Sequence, residues 1–110
     1  MGEGRVDDYI KRVIGLLRGS SLNSPVRIAV MLYLAGKGYA YFNELLEVTG
    51  ATPGNLWSHL EKLEKQGMIR VRRVIKNRPR VLVEATSKGL GETLKLIRAL
   101  RRILEEYGGD

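Results

Sequence analysis

Apolar residues recur at Val6, Ile10, Val13, Ile14 and Leu17, and steps of three and four lay one apolar stripe along a helix over residues 5–18. Gly19-Ser20-Ser21 ends it. Asn23-Ser24-Pro25 then opens a second helix, with Ser24 able to cap free amides and Pro25 suited to the first helical position. Val26, Ile28, Ala29, Val30, Leu32, Tyr33 and Leu34 make this helix, over 24–36, apolar nearly all round, the pattern of a central core helix, and Gly36-Lys37-Gly38 stops it.

Residues 41–66 hold two shorter helical patterns that meet at a tight turn. The first carries Phe42, Leu45, Leu46 and Thr49 and ends at Gly50; the second starts at Ala51-Thr52-Pro53, with Thr52 as cap. Leu56, Leu60 and Leu63 form the buried stripe of that second helix. Gly54, Asn55, Ser58, Glu61, Lys62 and Lys65 take the opposite side at about 100° per residue. After Gln66-Gly67 the period changes. Met68 to Ile75 and Arg80 to Ala85 are rich in Val and Ile and flank Lys76-Asn77-Arg78-Pro79, which has turn composition, so 68–86 reads as a β-hairpin. Thr86-Ser87 caps a last helix over 87–107, where Leu90, Leu94, Ile97, Leu100, Leu104 and Tyr107 recur at helical steps and Leu96 and Ile103 widen the face. With no linker or internal repeat, the order predicts one mostly α-helical α+β domain over 1–110.

Composition narrows the partner. Lys and Arg total 19 against 12 Asp and Glu, a net charge of +7, which biases the chain toward polyanions. There is no cysteine and a single histidine, so disulfides, thiolate sites and clustered metal ligands are excluded, and no metal or other cofactor is expected. The opening residues are charged and amphipathic, and no run approaches the roughly 18 apolar residues of a membrane span, so the expectation is a cytoplasmic protein with no membrane partner. The acidic residues, chiefly Glu44, Glu47, Glu61 and Glu64, show no spacing of a catalytic pair, and His59 has no nucleophile beside it; no enzyme activity is expected.

Two helices at a tight turn are common. A second helix followed at once by a basic hairpin, with a core helix just upstream, is more specific: it predicts a winged helix-turn-helix. Such a helix offers small and polar residues near its N-terminus to the major groove, and Thr52, Gly54, Asn55 and Ser58 are of that kind. Asn55 suits a bidentate bond to adenine, Ser58 and His59 suit bases or phosphates, and Lys62 suits phosphate or guanine. An ordinary solvated face would explain that helix alone equally well. The hairpin decides between them, because it carries Arg70, Arg72, Arg73, Lys76, Arg78 and Arg80 with no acidic residue before Glu84, whereas a merely soluble hairpin mixes its charges. Arg72, Lys76, Arg78 and Arg80 are the expected wing contacts. The competing readings are an edge protected by charge, a protein-interaction winged helix, and a nonspecific chromatin protein.

The stretch Ala51-Thr52-Pro53-Gly54-Asn55-Leu56 through Leu60, Leu63 and Gly67-Met68-Ile69, then Arg78-Pro79-Arg80 and Ala85-Thr86-Ser87-Lys88-Gly89, resembles the MarR/ArsR-like winged-helix regulators, closest to their small archaeal branch. The resemblance spans about residues 22–107. It implies a homodimeric transcriptional regulator with the recognition helix in the major groove of double-stranded DNA, the wing on the neighbouring backbone, and terminal helices pairing two copies. Those terminal helices place the interface at Ile10, Val13 and Leu17 in the first and Ile97, Leu100 and Leu104 in the last. The resemblance also admits a small-molecule effector between core and dimer helices, which no residue identifies. Trp57, beside the leucine stripe, is expected to pack against the hairpin, the alternative being that it lies toward DNA, and Tyr33, Tyr39, Tyr41 and Phe42 are expected to pack as an aromatic cluster.

Overall fold

The computed structural model describes residues 2–19 and 21–108. In chain order these form α1 (Gly2–Leu17), α2 (Pro25–Lys37), β1 (Tyr39–Tyr41), α3 (Phe42–Thr49), α4 (Pro53–Lys65), β2 (Ile69–Lys76), β3 (Arg78–Ala85) and α5 (Ser87–Glu106). α2, α4 and α5 start where their cap chemistry puts them. Ser24 accepts from the Arg27 N–H at 3.3 Å with Pro25 in the first turn, Thr52 accepts from the Asn55 N–H at 3.3 Å, and Thr86 accepts from the Gly89 N–H at 3.0 Å. Gly38 and Gly50 close α2 and α3 at φ 89° and 68°, a left-handed geometry that glycine adopts without steric cost.

The sheet is antiparallel, in the order β1-β3-β2. β1 is the one element the hydrophobic pattern did not predict, because three residues are too few to display a period of two. Its alternation explains the tyrosines. Ala40 pairs with Val83 and both are buried, so Tyr39 and Tyr41 take the opposite face, and Tyr39 is exposed. The expected aromatic cluster is thus divided. Tyr39 and Tyr41 meet edge to face at 6.5 Å, Lys37 lies over Tyr39, and Phe42 stacks on Trp57 at 4.8 Å. Trp57 packs, as expected, but its stacking partner is the first residue of α3.

The hairpin turn is tighter than its composition implied. Lys76 pairs with Arg78 and Ile75 with Pro79, which leaves Asn77 alone at the tip with φ 73°, a conformation that Asn tolerates better than most residues. Pro79 therefore belongs to β3. β1 reaches only to Leu82, so Pro79 stands beyond it on an uncovered strand edge, where its missing N–H is harmless.

The core gathers Val30, Met31 and Leu34 of α2, Leu45 of α3, Leu56, Leu60 and Leu63 of α4, Met68, Ile69 and Val83 of the hairpin, and Leu96 of α5. Glu44 stitches three elements around it. Its carboxylate accepts from the Tyr41 N–H at 2.8 Å, Lys37 Nζ at 2.9 Å and the Tyr33 hydroxyl at 3.0 Å. The Tyr41 amide above all, then Lys37, hold its pKa down to about 2.

α1 runs antiparallel to α5, with Arg5 3.8 Å from Glu106 and the Arg102 guanidinium 5.9 Å from the Tyr9 ring centre. α5 carries two apolar rows. Its buried row is Gly89, Thr93, Leu96 and Ala99, while Leu90, Ile97, Leu100, Leu104 and Tyr107 form a second, exposed apolar row. Val13 and Leu17 of α1 pack against the chain's own core, and Ile10 and Ile14 are exposed. Among the described residues no helix is long and apolar enough to cross a membrane.

Candidate nucleic-acid interface

Burial of Leu56, Leu60 and Leu63, all fully enclosed, fixes the rotation of α4, and the outward row follows from the helical repeat. Thr52, Gly54, Asn55, Ser58 and Lys62 are all exposed, so five of the six α4 residues expected to meet DNA are open to solvent. The helix is anchored along its length. Trp57 stacks on α3, the Glu64 carboxylate accepts from the Val71 N–H at 3.0 Å, Lys88 Nζ donates to the Gln66 carbonyl at 2.8 Å, and the Ser21 hydroxyl donates to the Gln66 side chain. A helix so fixed can present its outward row without reorganising. Thr52 has a second task, since its hydroxyl oxygen already caps α4.

The sixth residue, His59, is half-buried on the flank of α4, with Nδ1 2.8 Å from a guanidinium nitrogen of Arg27. Desolvation first, then the positive charges of Arg27 and Lys62, hold its pKa below the usual histidine range. It belongs to α4 but is set apart from the open row.

The wing's basic residues differ in how free they are. Arg72 is engaged, with Nε 2.9 Å from the Glu84 carboxylate. The Arg80 guanidinium lies 4.2 Å from the centre of the Tyr41 ring, which aims it while preserving its charge. Lys76 and Arg78 are exposed at the tip and form no ion pair among the described residues. An open cleft between the outer half of the wing and the start of α3 is lined by Tyr41, Phe42, Asn43, Arg73, Arg78 and Arg80. Asn43 and Arg73 were not among the expected contacts. Neither carries a local signal: strand alternation sets Arg73 on the face opposite Arg78 and Arg80, and Asn43 is brought to the wing by the short β1.

A helix-turn-helix with an open polar recognition row, flanked by an antiparallel hairpin rich in unpaired arginine, defines the winged helix-turn-helix class. Residues 26–104 match the family of winged helix DNA-binding domains, and the chain belongs to that family. It is 41% identical over 68 residues to the uncharacterized protein MJ0432 of Methanocaldococcus jannaschii, covering 61% of this chain and 74% of that protein. The structure of a transcriptional regulator homologue from Pyrococcus horikoshii superposes with a TM-score of 0.75 at 31% identity, covering 88% of this chain and 97% of the other. YusO of Bacillus subtilis shares the fold at 16% identity, with a TM-score of 0.73 over 92% of this chain and 71% of its own. The chain is thus a DNA-binding regulator with a winged helix domain, similar to a transcriptional regulator homologue.

Proposed function

We propose that the protein is a single-domain, cytoplasmic transcriptional regulator that binds specific double-stranded DNA as a homodimer and acts by binding alone. α4 enters the major groove and the wing follows the neighbouring backbone. The observation that carries this reading is the division of α4. Its apolar row is wholly enclosed, and the exposed row is made of groups small or polar enough to approach base edges, beside a hairpin whose Lys76 and Arg78 form no ion pair among the described residues. Asn55 and Ser58 read bases, Lys62 and the tip residues Lys76, Arg78 and Arg80 hold phosphates, and Arg72 contributes less because Glu84 already compensates it. The exposed apolar rows of α1 and α5 supply the self-association that places two such helices on one duplex.

Selection from a random duplex pool, followed by titration of the preferred and an unrelated duplex across a salt series, tests the proposal. The expected outcome is a two-fold symmetric site bound at least about a thousandfold more tightly than the unrelated duplex. Equal affinity for both duplexes overturns it in favour of a nonspecific coating protein, and no salt-sensitive binding to either favours a protein-contact module.

A further inference from the structure

Arg27 is out of place by composition. It is the third residue of a helix that carries no other charge before Lys37 and is only 9% exposed, yet it has no carboxylate partner among the described residues. A buried guanidinium is normally compensated by one. Its donors are instead directed at neutral acceptors: Nε to the Ser21 carbonyl at 2.7 Å, Nη2 to the Asn23 carbonyl at 3.2 Å, and Nη1 to His59 Nδ1 at 2.8 Å. The side chain thereby ties the loop before α2 to the recognition helix.

The last of these bonds dictates chemistry. A guanidinium has only donors and keeps its proton at any ordinary pH. At 2.8 Å, Nδ1 of His59 must therefore be the acceptor, and a neutral imidazole that accepts through Nδ1 carries its proton on Nε2. A protonated ring would set an N–H against an N–H and a cation against a cation. The charged groups facing the ring are Arg27 from α2 and Lys62 from α4 itself, both positive, and the loop before α2 contributes only the neutral Ser21 and Asn23. No carboxylate on either element favours the imidazolium.

We propose that Arg27 is a positioning residue which holds His59 as the neutral tautomer protonated on Nε2, so that His59 meets DNA as a donor of one hydrogen bond and not as a cation. His59 lies one turn after Asn55 and one turn before Lys62, at the border of the exposed row. From there Nε2–H is directed at a backbone phosphate oxygen. The DNA half of this assignment rests on the proposed function; the tautomer does not.

The two halves are tested separately. The chain has one histidine, so a two-bond proton–nitrogen NMR spectrum of the free protein contains a single imidazole. At neutral pH it is expected to show Nε2 protonated and Nδ1 bare. In Arg27→Met the preference weakens and the acid midpoint of the ring moves up toward the ordinary histidine value. A proton on Nδ1 in the unaltered protein overturns the assignment, and because that spectrum needs no variant, a failure of Arg27→Met to fold leaves the test intact.

For DNA, His59→Gln places an amide N–H near the reach of Nε2, and His59→Asn places one near Nδ1. On the preferred duplex at neutral pH, Gln is expected to stay within about threefold of the parent while Asn weakens binding about tenfold. Neither should alter the salt slope, since no charge is removed. Equal losses in both variants, or a shallower slope in either, overturn the donor role. Absence of all duplex binding sinks the proposed function instead, and the spectrum of the free protein still decides the tautomer.

Discussion

α4 and α5 begin alike and end in different kinds of contact. Each starts at a threonine whose hydroxyl oxygen caps the third helical amide, and each has an amphipathic sequence. In α4 the single apolar row is enclosed and what faces outward is small, polar or charged, with Glu61 beside the basic Lys62 and Lys65. In α5 the enclosed row, Gly89, Thr93, Leu96 and Ala99, is paralleled by a second apolar row of which Leu100, Leu104 and Tyr107 are 49%, 50% and 69% exposed. A helix whose apolar residues are all satisfied within its own chain has only hydrogen bonds and charge to offer, which suits a polyanion. A helix with an apolar row left over favours association with protein, and α1 adds the exposed Ile10 and Ile14.

The largest effect that can break this contrast lies in the exposed row. Leu100→Glu with Leu104→Glu is expected to yield a folded monomer, because neither side chain supports the core, and to weaken binding to a symmetric duplex roughly hundredfold or more by removing the second attachment. Leu96→Glu, 4% exposed, should instead unfold the chain. Sedimentation equilibrium with circular dichroism checks both. An unchanged solution mass for the double variant would show that the exposed row of α5 is not the interface.

The inner row makes its own prediction. A Cβ on Gly89 would stand 1.9 Å from the Met68 carbonyl oxygen and 2.8 Å from its carbon, so α5 approaches the start of the hairpin at backbone contact. Gly89→Ala is expected to cost about 2–3 kcal/mol and lower the thermal midpoint by roughly 10 °C. Gly91, with nothing within 4 Å of its would-be Cβ, is the control. Gly91→Ala should be neutral or stabilise by up to about 1 kcal/mol through helix propensity. Equal melting of the two variants would remove Gly89 from the packing argument.

What the sequence made legible follows the same division. Ser24-Pro25, Thr52-Pro53 and Thr86 announce their helices through local chemistry, and the α4 stripe is legible because only one set of positions in it is apolar. α5 is not legible in this way: both of its rows obey three- and four-residue steps, so periodicity cannot say which one is enclosed. That choice is made by the approach of Met68 to Gly89, a contact between distant parts of the chain. The Arg27–His59 bond joins residues 32 apart, and the Arg72–Glu84 pair depends on a register that a four-residue turn would have shifted. With Asn77 alone at the tip, Arg72 faces Leu82, and Glu84 falls at the diagonal position, within reach of a long side chain.

On the DNA side the next effect in size belongs to Asn55. Its side chain is exposed one turn into α4, and only its backbone amide is engaged, by Thr52. Asn55→Ala is expected to lose about 1–3 kcal/mol of discrimination at one symmetric pair of base positions, leaving affinity for unrelated duplexes nearly unchanged. Repeating the random-pool selection with the variant checks this. An identical selected sequence would mean that Asn55 faces the groove without reading it.

The smallest effect is the most specific to the wing, because it compares two arginines of one hairpin. Arg78 stands at the tip with no ion pair among the described residues, whereas Arg72 is held by Glu84 at 2.9 Å. A phosphate contact releases counterion with a slope of about −0.9 in log affinity against log salt, and a symmetric dimer makes each contact twice, so Arg78→Ala should flatten the slope by roughly 1.8. Arg72 must first surrender its carboxylate before it can neutralise a phosphate, and its removal frees Glu84 to repel the backbone. Arg72→Ala should therefore weaken binding while changing the slope by less than Arg78→Ala does. Both variants should leave the preferred sequence as it is, since neither side chain is assigned to a base edge. The measurement is a salt series on the preferred and an unrelated duplex for the parent and both variants. Equal slope changes would show that the Glu84 pair opens freely on DNA, and a loss at Arg78 confined to the preferred duplex would show that the wing tip reads sequence.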